Sequence, residues 1–143
     1  MKILALDVGD KRVGIATSDE LGVGVWPQKT FLRQGTPNDY EKLAEMIEEQ
    51  SPQVIVVGLP INMNGTEGPQ AKKVRQFVGE IQKKLEQKNV NIPVQWQDER
   101  LTSWEAENRL SEKGIKGKER KAQVDSMAAC LILEDYLRSK GKL

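Results

Sequence analysis

Residues 2 to 7 form an almost unbroken apolar run ending in Asp7. Gly9-Asp10 then offers a tight turn into a second run, Val13-Gly14-Ile15-Ala16-Thr17, the pattern of a β-hairpin. A third strand is expected within Val23 to Phe31, punctuated by Gly22 and Gly24, with Pro27 assigning it to a sheet edge. Thr36-Pro37 reads as a helix start, Thr36 as N-cap and Pro37 in the first turn, because Tyr40, Leu43, Ala44 and Ile47 recur at helical spacing until Pro52. Val54-Ile55-Val56-Val57 is wholly β-branched and bounded by Gly58 and Pro60, which is how a parallel strand covered on both faces reads. Gly68-Pro69 opens a second helix with the stripe Val74, Phe77, Val78, Ile81 and Leu85, and Val94-Gln95-Trp96-Gln97 follows Pro93 as a further strand.

Thr102-Ser103-Trp104-Glu105 matches a capping box, so a helix is expected directly after Asp98-Glu99-Arg100, and these acids fall at a strand's carboxyl end. A Lys- and Gly-rich connection over Lys113 to Lys121 precedes a last helix, apolar around much of its circumference from Met127 to Leu133. The order is an antiparallel meander feeding a parallel half. It predicts an α/β fold of three layers: a mixed five-stranded sheet with helices on both faces. With no repeat or linker, residues 1–143 are expected to form a single domain.

Composition narrows the chemistry. The chain has no histidine, which removes Ser-His and Cys-His nucleophilic systems, His-ligated zinc and His acid–base ribonuclease chemistry. Carboxylates, lysines and arginines remain, and carboxylate-held Mg²⁺ or Mn²⁺ rises among hydrolytic strategies. Lys plus Arg total 22 against 21 Asp plus Glu, so a nucleic-acid site must be a local patch. The single cysteine, Cys130, lies in an apolar run and reads as core. The N-terminal run is too short before its first acid for a signal peptide or membrane span, and a cytoplasmic protein with no membrane partner is expected.

Three positions could gather carboxylates. Asp7 ends a core strand and reads either as a turn acid or as a site acid emerging at the sheet edge. Asp125 shares a helical face with Ala128, Ala129, Ile132 and Tyr136, so it must reach a cation, a basic side chain or an open cleft, unless it only stabilises the helix's first turn. Asp98 and Glu99 point to opposite faces of an extended strand, and periodicity leaves open which one joins the others or pairs with Arg100. Three such acids suit a hard cation that also takes substrate phosphate oxygens, with Asp7, Asp98 and Asp125 as the expected metal ligands and Glu99 as a further catalytic candidate. Lys11 and Arg12 beside Asp7 are placed to grip a phosphate or merely form a solvated hairpin tip. Lys113, Lys116, Lys118, Arg120 and Lys121 form a second basic cluster that either clamps a backbone or is only solvated. Gly58 to Gly65, including Asn62, reads as a substrate-lining loop or as simple turn chemistry, and Trp26, Trp96 and Trp104 as packing residues before base-stacking ones.

Four motifs in order, spanning essentially the whole chain, resemble the YqgF family of Holliday-junction-resolvase-like and pre-16S ribosomal RNA nucleases. They are Asp7-Val8-Gly9-Asp10-Lys11-Arg12-Val13-Gly14-Ile15-Ala16; Gly58-Leu59-Pro60 with Asn62, Gly65 and Thr66; Asp98-Glu99-Arg100-Leu101-Thr102; and Asp125 with Ala128 and Ala129. The resemblance implies a ribonuclease-H-like fold and maturation of the 5′ end of the small-subunit ribosomal RNA precursor. It also implies Asp7, an acid of the Asp98-Glu99 pair and Asp125 as catalytic residues. The expected partners are structured RNA or branched DNA and a pre-ribosomal particle, with the chain a monomer or weak homodimer. The related resolvases carry their second acid after the strand neighbouring the first; here that place reads Gly58-Leu59-Pro60, and an acid comes one strand further on. A non-catalytic RNA-binding assembly factor is the competing class. An actin-like or sugar-kinase-like nucleotide binder ranks last, because 143 residues leave no room for its second lobe.

Overall fold

The computed structural model describes residues 1–22, 24–99 and 117–141, with side chains of the final helix described from Met127 onward. Its elements are β1 (Ile3–Val8), β2 (Arg12–Ser18), β3 (Val25–Pro27), β4 (Phe31–Leu32), α1 (Asn38–Gln50), β5 (Val54–Leu59), α2 (Pro69–Gln87), β6 (Val94–Asp98) and α3 (Gly117–Ser139). Among the described residues, six strands form one mixed sheet of order β3-β2-β1-β5-β6, with β4 also on β2. β1 runs antiparallel to β2 and parallel to β5, and β5 runs parallel to β6.

The sheet has six strands rather than five because the third strand of the sequence reading is two short pieces. β3 pairs with the end of β2 and β4 with its beginning. Pro27 brings no N–H to continue the ladder, and after Gln28 donates to the Ile15 carbonyl at 2.8 Å the chain leaves the sheet until Phe31. Val23, its expected first residue, lies outside the described residues, as do the expected capping box at Thr102 to Glu105, Arg100 and Lys116.

Alternation along the strands sorts the core into two layers. Leu4, Leu6 and Val8 of β1 and Ile55, Val57 and Leu59 of β5 pack against Leu43, Ala44 and Ile47 of α1 and the stripe Val74, Phe77, Val78, Ile81 and Leu85 of α2. Ile3 and Ala5 of β1, Ala16 of β2 and Val56 of β5 face Ala129, Cys130, Ile132 and Leu133 of α3. β5 is therefore covered on both faces, as its β-branched run requires. The start of α1 differs from the sequence reading. Thr36 supplies no side-chain cap; the buried Asp39 carboxylate instead accepts the backbone N–H groups of Gln34 and Gly35 at 2.8 and 2.9 Å, tying the approach loop to the helix. α3 also begins earlier than expected, so Lys118, Arg120 and Lys121 are helical rather than part of a glycine-hinged loop. Among the described residues no helix is long and apolar enough to cross a membrane.

Candidate active site

Strand parity decides which acids can meet. On β1, Ile3 and Ala5 belong to the α3 layer, so Asp7, the next residue of that parity, projects on the same face. On β6, Val94 and Trp96 pack with the α1–α2 layer, which puts Asp98 on that side and exposed, while Glu99 shares the α3 face. β5 runs between the two strands, with Leu6 opposite Val57 on one side and Gly58 opposite Gln97 on the other. The residue separating Asp7 from Glu99 is thus Gly58. A Cβ built there would lie 2.5 Å from Glu99 Oε2 and 2.4 Å from Ile132 Cδ1. Because Gly58 has no side chain, the Glu99 carboxyl lies across β5 and reaches Asp7, to which it is hydrogen bonded.

Two carboxyl groups in contact and largely withdrawn from water cannot both be ionised cheaply. Burial raises the Asp7 carboxyl above its ordinary range, partly opposed by the hydrogen bond from Glu99. Glu99 is pushed up to about 10, first by its own burial, then by the Asp7 charge, the hydrogen bond to Asp7 and the charge of Asp98. The pair therefore keeps one proton at neutral pH, shared in the hydrogen bond between Glu99 and Asp7. Carboxylate oxygens brought together from β1 and β6 suit a hard divalent cation, which would take the place of that shared proton. Among the described residues no third His, Cys, Asp or Glu completes a metal cluster. Asp125 lies on α3, one helical turn before Ala129, and its side chain is outside the described residues.

The whole-chain model of the family described as "RuvX: Holliday junction resolvase" matches residues 1–139. The chain belongs to the RuvX family. Its relatives include a protein of Halothermothrix orenii, 40% identical over 143 residues and covering 100% of this chain and 99% of the relative, named "Putative pre-16S rRNA nuclease". A protein of Thermoanaerobacter pseudethanolicus with the same name is 43% identical over 141 residues, covering 98% of each chain. Among solved structures, the fowlpox virus resolvase in complex with Holliday junction DNA superposes with a TM-score of 0.59 at 15% identity, covering 98% of this chain and 99% of that one. RuvC of T. thermophilus in complex with a junction substrate gives 0.56 at 13%, covering 99% and 98%. These two establish the ribonuclease-H-like fold of the RuvX chain.

Other residues singled out in this RuvX sequence fall in different places. Arg12 starts β2 with the parity of Gly14 and Ala16, which puts it on the acid-bearing face, and Lys11 sits exposed at the hairpin turn. The Asn62 amide is committed to its own loop, donating to Thr66 Oγ1 at 3.1 Å, while Asn64 Oδ1 accepts the Thr66 backbone N–H. Trp96 packs under the Arg75 guanidinium, 4.6 Å from its ring centroid, and Arg75 forms a two-pronged pair with Glu67. Trp26 is half exposed on the edge strand, and Trp104 lies outside the described residues.

The shared proton makes stability depend on pH in a definite direction. An unfolded glutamate titrates at 4.5, whereas Glu99 in the fold holds its proton to about 10. Between those values only the folded chain binds the proton. This contribution to stability is fully present below pH 4.5, declines as the pH rises and is gone above about 10. Thermal unfolding of metal-free protein should therefore show a wild-type Tm that falls relative to that of Glu99→Gln as the pH is raised from 5 to about 9. Parallel Tm–pH curves for the two proteins would disprove the shared proton.

Proposed function

We propose that this chain is a divalent-metal-dependent nuclease that hydrolyses phosphodiester bonds, most usefully those at the 5′ end of the small-subunit ribosomal RNA precursor. The observation that carries it is the Asp7–Glu99 carboxyl pair, closed over Gly58 at the carboxyl ends of β1, β5 and β6. Supporting the substrate are relatives of 40% and 43% identity along nearly their full length, both named "Putative pre-16S rRNA nuclease". Asp7 and Glu99 are the site acids of choice, with Asp125 as the third and Asp98 left on the other face.

Bound Mg²⁺ or Mn²⁺ would supply Lewis acidity, polarising a phosphoryl oxygen and lowering the pKa of water. This chain's own residues would do the rest. Asp7 and Glu99 present oxygen donors in a fixed frame, since each leaves a strand pinned within the sheet, and both lose their shared proton to engage a cation. Arg12, on the same face, and Lys11, at the turn, offer positive charge to the phosphates flanking the attacked bond. With no imidazole in the chain, proton transfer to the departing oxygen would fall to water, a lysine or a protonated carboxyl group. Branched DNA is the second reading, favoured by the description of the family itself. The cytoplasm is the proposed location, where ribosomal precursors are found.

Purified protein incubated with precursor RNA and Mg²⁺ or Mn²⁺ is expected to produce a discrete cleavage, with four-way junction DNA assayed in parallel. EDTA should abolish the product and fresh divalent ion restore it. Cleavage undiminished by the chelator would overturn the metal dependence, and binding without cutting under every ion would favour the assembly-factor alternative.

A further inference from the structure

On the opposite face of the sheet from the acids, a polar cleft of about 170 Å³ opens between the β1–β2 turn and the first turns of α2. Arg33, Lys73, Gln70, Gln76, Tyr40 and Asp10 line it, and so does Val8, the neighbour of Asp7 in the chain. Arg33 is fixed in place. Its Nη1 donates to the Gly9 carbonyl at 2.6 Å, and its guanidinium lies 4.2 Å from the centroid of the Phe77 ring, which Tyr40 meets edge-on at 5.4 Å between centroids. Its Nε is buried with no hydrogen-bond partner. Among the described residues neither Arg33 nor Lys73 forms an ion pair, although Asp10 borders the same cleft. The adjoining helix end adds to the positive field, because α2 has no acid in its first turn and no side chain capping it.

A guanidinium held rigid by an aromatic face and a backbone carbonyl, with a lysine across the cleft and neither ion-paired among the described residues, is suited to receive an anion. Arg33 also connects the cleft to the acids directly, since the carbonyl it grips belongs to Gly9, two residues from Asp7. We propose that this cleft is a phosphate subsite for the nucleic-acid strand, holding a backbone phosphate beyond the β1–β2 turn from the bond that the Asp7–Glu99 pair addresses. The strand would pass over that turn, along Lys11, from one face of the sheet edge to the other. This proposal rests on the nuclease reading for its ligand, but its test does not require hydrolysis.

Binding of a short fluorescent single-stranded RNA is measured with the full chain in EDTA, as a function of salt. Lys73→Glu is expected to weaken binding about tenfold and lower the slope of log affinity against log salt by roughly one. Lys83→Glu, an exposed charge reversal further along the same helix, should change affinity little. Arg33→Gln should reproduce the Lys73→Glu loss, with circular dichroism and Tm verifying its fold. In a second arm, inorganic phosphate added to ¹⁵N-labelled protein should move the amides of Asp10 and Gln70 in the wild type and not in Lys73→Glu. Equal losses in Lys73→Glu and Lys83→Glu, or none in either, would overturn the subsite. Phosphate shifts without any effect on RNA affinity would overturn the strand assignment in favour of free phosphate. Binding through the cleft by a chain that never cleaves would sink the nuclease reading alone.

Discussion

Asp7→Asn is expected to lower metal-dependent cleavage by about three orders of magnitude, equivalent to several kcal/mol of transition-state stabilisation, while leaving RNA binding and the fold intact. Asn keeps the shape of the side chain and one oxygen, but it cannot carry the negative charge that a cation requires. Its fold should survive because the hydrogen bond from Glu99 can still be accepted by the amide oxygen. Glu99→Gln should match it in the same assay, whereas Asp98→Asn, altered on the far face of β6, should retain most of the wild-type rate. The three rates together test the assignment by parity. A crippled Asp98→Asn beside an active Glu99→Gln would reverse it, and an active Asp7→Asn would remove the site altogether.

Gly58→Ala should separate the geometry of the site from its chemistry. The added methyl would stand 2.5 Å from Glu99 Oε2 and 2.4 Å from Ile132 Cδ1, both far ends of side chains that can move. Folding should persist at a cost of about 1–3 kcal/mol, typical of one extra methyl in a filled space. Glu99 would be levered away from Asp7, and a displacement of about 1 Å can cost about a hundredfold in rate. Trimming the other neighbour in the double variant Gly58→Ala/Ile132→Val should recover much of the stability in urea denaturation but little of the activity. Full activity in Gly58→Ala would show that the carboxyl does not need the place over β5.

That glycine also accounts for how an acid beyond the end of β6 can meet one on β1. The strand next to β1 ends in Gly58-Leu59-Pro60 without an acid, and the missing side chain leaves the room through which Glu99 reaches Asp7 from one strand further away. The vacancy and the acid that uses it lie 41 residues apart in the chain. Only their pairing across β5 and β6 relates them.

Local patterns in the chain were enough for β1, β2, β5, β6 and the cores of α1 and α2, but not for the division of the third strand into β3 and β4 or the early start of α3. Apolar runs on either side of the Gly9-Asp10 turn marked β1 and β2, the β-branched run marked β5 as buried on both faces, and helical spacing marked the core stripes of α1 and α2, because each of these signals is set by neighbours within a few residues. The absence of histidine likewise left carboxylates as the groups able to hold a cation. Side chains that act through contacts distant in sequence were not legible. Neither Asp39 nor Arg33 stood out in the sequence; the fold sets the Asp39 carboxylate under the N–H groups of Gln34 and Gly35, and closes Phe77 and Gly9 around Arg33. The choice between Asp98 and Glu99 depended on which face of β6 turns toward α3. Residue types alone set which groups could ionise, and short-range periodicity set most of the strands and helices. Strand register and layer packing decided which of those groups share a face, since a shift of one residue reverses the direction of every side chain along a strand.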